Sequence, residues 1–93
     1  MLWYAIYMAK YNIVKFLNLD KVILEHQNRY FLASFSDVPY SGPEVLVFQS
    51  DEQGNVTDWI EVDGGRGYKS LAEFITNGGL KVNIYNPLDE DTQ

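Results

Sequence analysis

His26 is the single histidine of the chain, and there is no cysteine. Metal or acid–base chemistry that needs imidazole or thiolate therefore has one residue to work with. A general base also needs a nucleophile and an orienting partner, and the residues near His26 supply only Arg29, Tyr30 and Ser34. Beside Glu25, at the end of an apolar run, His26 reads as a surface or edge-strand residue. The run Asp63-Gly-Gly-Arg-Gly67 precedes Lys69 and Ser70 and has the context of an anion cradle. Tyr68 interrupts it, however, and no G-x-x-x-x-G-K-[ST] spacing can be written. Asp51, Gln53, Asn55 and Thr57 offer alternating oxygens around Gly54, but without the bidentate glutamate of a calcium loop they read as a β-turn. Glu61 and Asp63, two apart, would share one strand face as a carboxylate pair; a chain this short seldom encloses the cleft that glycosidase chemistry needs. No catalytic, cofactor-binding or metal-binding residue is assigned, no cofactor is expected, and the chain is expected not to be an enzyme.

What remains is a surface. Trp59 sits between Asp58 and Glu61, and an exposed aromatic among acids has the character of a protein-binding hot spot; a tryptophan closing the second side of a small core is the other reading. Lys and Arg total 7 against 13 Asp and Glu, for a net charge of −6. Residues 1–33 carry four bases and two acids, net +2, whereas residues 34–93 carry three bases and eleven acids, net −8. A nucleic-acid binder tracks phosphates with a basic excess, so direct nucleic-acid binding is not expected, although Lys10, Lys15, Lys21 and Arg29 could form one basic patch. The acids serve solubility or dock a basic partner.

The elements that must position these residues read mainly as strands. With 46% hydrophobic and 22% charged residues in a 93-residue chain, one globular domain spanning 1–93 is expected. Residues 1–10 are open to three readings, a strand with Leu2, Tyr4 and Ile6 on one face, a helix, or an extension. Their apolar run is far short of the roughly 20 residues that span a bilayer, and no positive region precedes it as in a secretory signal. Val22–His26 and Arg29–Phe35 form a hairpin about Gln27-Asn28, since Asn tolerates the left-handed backbone such turns need. Ser36–Pro43, with two prolines and a glycine, reads as a surface loop. Glu44–Ser50 and Val56–Val62 form a second hairpin in which Val56, Ile60 and Val62 share one face and Thr57, Trp59 and Glu61 the other. Asp63–Gly67 reads as a loop. A short helix follows, with Ser70 and Glu73 spaced as a capping box, Leu71, Phe74 and Ile75 as its buried stripe, and Gly78-Gly79 as its stop. Leu80, Val82 and Ile84 alternate in a last strand, and residues 88–93 read as a frayed acidic tail. This order predicts an α+β fold: four to five antiparallel strands with one short helix packed on one face.

Ser36-Asp-Val-Pro-Tyr-Ser-Gly-Pro-Glu-Val-Leu-Val-Phe48, continued by Asp51-Glu-Gln-Gly-Asn-Val-Thr-Asp-Trp59 and Gly64-Gly-Arg-Gly67, resembles small proteins of bacteriophages, prophages and plasmids. The resemblance covers about residues 36–70 and departs at Val45, where threonine is expected. It implies a mobile-element origin and carries no established activity. Small acidic proteins of such origin commonly occlude host machinery, as anti-CRISPR and anti-restriction inhibitors do. The expected function is therefore non-enzymatic inhibition of a host nucleic-acid-processing defence complex, in the host cytoplasm, by covering a basic surface. The alternatives are a phage accessory protein that binds a replication or packaging factor, and a small nucleic-acid-binding domain. Asp51, Glu52, Asp58, Trp59, Glu61 and Asp63 are the expected contact residues, their carboxylates projecting from a rigid hairpin in place of phosphates. An exposed strand edge also leaves homodimer formation open.

Overall fold

The computed structural model describes residues 10–83. The expectations for residues 1–9 and for the acidic tail lie outside the described residues. The elements are β1 (Tyr11–Asn18), β2 (Lys21–His26), β3 (Arg29–Val38), β4 (Gly42–Ser50), β5 (Val56–Arg66), α1 (Leu71–Thr76) and β6 (Val82–Asn83). They build one six-stranded sheet in the order β5-β4-β3-β2-β1-β6. The class is α+β, as expected, but the four to five antiparallel strands were an undercount and the sheet is mixed. β1 to β5 run alternately up and down, while β6 pairs parallel to β1 through Tyr11–Val82 and Asn12–Asn83. A parallel return needs a crossover, and α1 provides it, leading the chain from the β5 edge to the far edge of the sheet.

The core lies between α1 and one face of the sheet. Alternate residues Val22, Leu24, Ala33, Val45 and Val47 meet Leu71, Phe74 and Ile75 of the helix and Leu80 beyond it, all buried. The opposite face is lined at its centre by Ile23 and Leu32, also buried. A methyl group on Gly54, in the β4–β5 turn, would stand 3.0 Å from Leu17 and 3.2 Å from Ile23, so that turn packs over this second face.

Local chemistry explains the ends of the elements. Gln27 and Asn28 both have positive φ, 53° and 65°, the pair of left-handed residues a two-residue hairpin requires. The Ser70 hydroxyl accepts from the Glu73 N–H at 3.0 Å, half of the expected capping box. At the other end Gly78, φ +79°, donates to Ile75 O and Gly79 donates to Phe74 O at 2.8 Å. These paired bonds close the helix in a Schellman motif.

Two expected loops are strand. β3 and β4 continue pairing to Asp37–Pro43 and Val38–Gly42, which leaves only Pro39–Ser41 as the turn. Proline lacks a donor but keeps its acceptor, and Pro43 O accepts from Gly67 N at 3.1 Å. β5 likewise runs through Gly64 and Gly65 to Arg66. A Cβ on Gly65 would stand 2.5 Å from the Phe74 ring, and one on Gly64 2.5 Å from Val45 O. Glycine is there for close approach, which outweighs its entropic cost in a strand.

Candidate functional site

Among the described residues β5 is an edge strand, and it does not keep register with β4. Gln49 pairs with Asp58 and Val47 with Asp63, so Trp59, Ile60, Glu61 and Val62 all lie opposite Phe48 alone. The surplus residues bulge outward. Trp59 is 75% exposed, Ile60 68% and Val62 50%. The expected division into one face of Val56, Ile60 and Val62 and another of Thr57, Trp59 and Glu61 is therefore corrected, because the bulge breaks the alternation: past it, the residues of β5 that face the helix are Asp63 and Gly65. Trp59 is not a second core. It rests edge-on against Phe48, with ring centroids 5.2 Å apart at 61°, and the rest of the indole meets solvent.

The six expected contact residues fall into distinct settings. Asp51 closes the turn: one carboxylate oxygen accepts from the N–H groups of Gln53 and Asn55, each at 2.9 Å, and the other from Asn55 Nδ2 at 3.0 Å. The Asn55 N–H, then its side-chain amide, hold the Asp51 carboxyl below the usual aspartate range. This Asx turn accounts for the oxygen-rich run Asp51–Thr57. Glu52 is exposed at the same turn. Asp58 is exposed and accepts from the Ile60 N–H at 3.2 Å, steadying the start of the bulge. Glu61 is exposed and has Oε2 2.8 Å from where a Cβ on Gly64 would stand. Asp63 is half-buried, accepting from its neighbour Gly64 N at 2.8 Å and from the Tyr11 hydroxyl at 3.4 Å. Glu61 and Asp63 thus do not share a face, because the bulge breaks the two-residue alternation between them. Among the described residues the ion pair found is Arg66–Glu44 at 3.4 Å, and Glu52, Asp58 and Glu61 have no cation within 4.0 Å.

A second grouping joins residues far apart in sequence. Tyr11 packs edge-on against His26 at 5.8 Å and Phe31 at 5.4 Å. Burial, then the charge of Asp63, then the hydrogen bond to it push the Tyr11 hydroxyl from 10.0 up to about 12. His26 Nδ1 lies 3.2 Å from the Lys10 carbonyl oxygen. The imidazole of His26 therefore meets Tyr11 and the Lys10 carbonyl, while Arg29 is its backbone pair across the hairpin. Sequence reasoning missed Ile60, Val62 and Tyr11. A signal existed for the first two: three apolar residues in the four positions 59–62 fit no alternating strand. Tyr11 could be placed only by knowing that β1 pairs Asn12 with Glu25.

Among the described residues no three His, Asp or Glu side chains gather as metal ligands would. Among those residues no helix is long and apolar enough to cross a membrane. No protein-family model matches the chain, no curated protein matches its sequence, and no solved structure matches it.

Proposed function

We propose that this chain is a binding protein of mobile-element origin that acts without turnover, docking the β5 bulge on a basic surface of a host nucleic-acid-processing defence complex in the cytoplasm. One observation carries the reading: Trp59, Ile60 and Val62 are pushed into solvent at a sheet edge, with Asp58 and Glu61 as their chain neighbours and neither acid within 4.0 Å of a cation among the described residues. An apolar anchor inside a charged rim is the anatomy of an interface, the anchor supplying affinity and the rim on-rate and partner choice. Asp51, Asp58 and Asp63 all accept from the protein's own donors, so recognition rests on the anchored tryptophan and on acids without an ion-pair partner among the described residues rather than on a row of phosphate mimics.

The test is inhibition of DNA cleavage by a panel of purified CRISPR and restriction nucleases. Inhibition of at least one is expected, weakened about tenfold or more by Trp59→Ala and reduced by salt in proportion to the charges of the rim. Failure against the whole panel, or inhibition indifferent to both Trp59→Ala and Glu61→Gln, sinks the proposal.

A further inference from the structure

On the helix side of the sheet, away from the bulge, a cleft of about 360 Å³ opens between the start of β1, the end of β2, β5 and the turn after α1. Its charged and polar side chains are Lys10, Tyr11, His26, Asp63 and Lys81. Among the described residues the lining therefore holds two lysines against one carboxylate, a basic balance in a chain whose net charge is −6. The carboxylate is also occupied. Asp63 already accepts from Gly64 N and from the Tyr11 hydroxyl, which leaves the lysines as the groups with most to gain from an incoming charge.

His26 is oriented for a ligand as well. A carbonyl oxygen can only accept, so the 3.2 Å contact from His26 Nδ1 to Lys10 O places the proton on Nδ1. In the neutral ring Nε2 is then an acceptor, and the edge-on Tyr11 ring steadies the imidazole plane. The Tyr11–Asp63 bond is long at 3.4 Å and can yield to a better acceptor.

We infer that this cleft is a binding site for a small hydroxylated anion, its carboxylate or phosphate group held by Lys10 and Lys81 and a hydroxyl donating to His26 Nε2. The volume suits a metabolite-sized ligand, and the site takes only Asp63 from β5 and none of Trp59, Ile60 or Val62. No bond is made or broken.

The experiment is a titration of the ¹⁵N-labelled 93-residue chain, followed by amide shifts, with ribose 5-phosphate, malate and inorganic phosphate in separate arms. Saturable shifts confined to Lys10, Tyr11, His26, Gly78, Gly79 and Lys81 are expected, with ribose 5-phosphate or malate binding more tightly than inorganic phosphate. The tighter of the two identifies phosphate or carboxylate as the anionic group. Lys10→Met and Lys81→Met should each weaken binding about tenfold. Lys15→Met, on β1 but outside the cleft, should leave it unchanged. Well-dispersed spectra of the methionine variants show that each still folds. The inference is overturned if no arm saturates by about 20 mM, if the shifts scatter over all lysines, or if the cleft and control variants bind alike.

Discussion

The β2–β3 hairpin holds register through six consecutive pairs, from Lys21–Ser34 to His26–Arg29, whereas β4–β5 loses register twice within its length. Both are antiparallel and both are rich in β-branched and aromatic residues, so propensity does not separate them. Burial does. β2 and β3 lie inside the sheet with both faces covered: Val22, Leu24 and Ala33 under the helix, Ile23 and Leu32 on the other side. A slip of one residue there would exchange the two apolar sets and strand backbone groups without partners. Among the described residues β5 has a neighbour on one side only, so its surplus residues bulge outward, where an adjacent aspartate bonds part of the backbone. The interior of this sheet specifies the fold, and its edge is free to carry a surface that packing would not tolerate.

The strongest way to break this contrast is Phe74→Ala. The ring is fully buried and touches Tyr68 at 4.9 Å between centroids, and its loss should cost about 3–5 kcal/mol in urea unfolding, a large share of a small domain's stability. Gly65→Ala should cost about 1–3 kcal/mol by forcing a methyl group against that ring. Combined with Phe74→Ala it should cost less than the sum, because the missing ring makes room. On the edge, Ile60→Ser and Val62→Ser should each change stability by no more than about 0.5 kcal/mol. A large loss from either would show that the bulge is part of the core after all.

Asp51 sharpens the contrast by pH. Its carboxyl is depressed in the folded chain by the Asn55 N–H and side-chain amide. The stabilisation it contributes is therefore present above the unfolded value and lost as pH falls through the folded one. Asp51→Ala should lower the melting temperature at neutral pH, and the gap from the parent should close as the pH is taken below about 3.9. A gap that persists in acid would mean the turn is held by something other than the carboxylate.

The smallest effect belongs to Tyr11. Its hydroxyl is raised from 10.0 to about 12, so the folded state keeps a proton that the unfolded chain gives up. The contribution is complete below pH 10 and disappears as pH rises towards 12. Phenolate absorbance should show a late-titrating step, and Tyr11→Phe should remove it. A Tyr11→Phe protein with the same late step would separate Tyr11 from Asp63.

Much was legible where the deciding contacts are local. Ser70, Gly78, Gln27 and Asn28 act on backbone within a few residues of themselves, and the Leu71–Phe74–Ile75 stripe needs only helical spacing to be read. The candidate surface was half legible: Trp59 with its flanking acids stood out, while the outward turn of Ile60 and Val62 and the inward turn of Asp63 did not, since both follow from a register set by β4.

The Gln27-Asn28 turn, the helix with its N-terminal cap and glycine stop, the strand character of β2 to β4 and the acidic bias after residue 34 come from the sequence alone. Tertiary structure decided the rest: the parallel β1–β6 pair at the far edge, Gly65 placed in a strand to admit Phe74, and the meeting of Tyr11 with Asp63 across 52 positions. Short-range signals are written into neighbouring residues, whereas strand partners and bulges are chosen by which pairing buries the most apolar surface while leaving the fewest backbone groups unbonded.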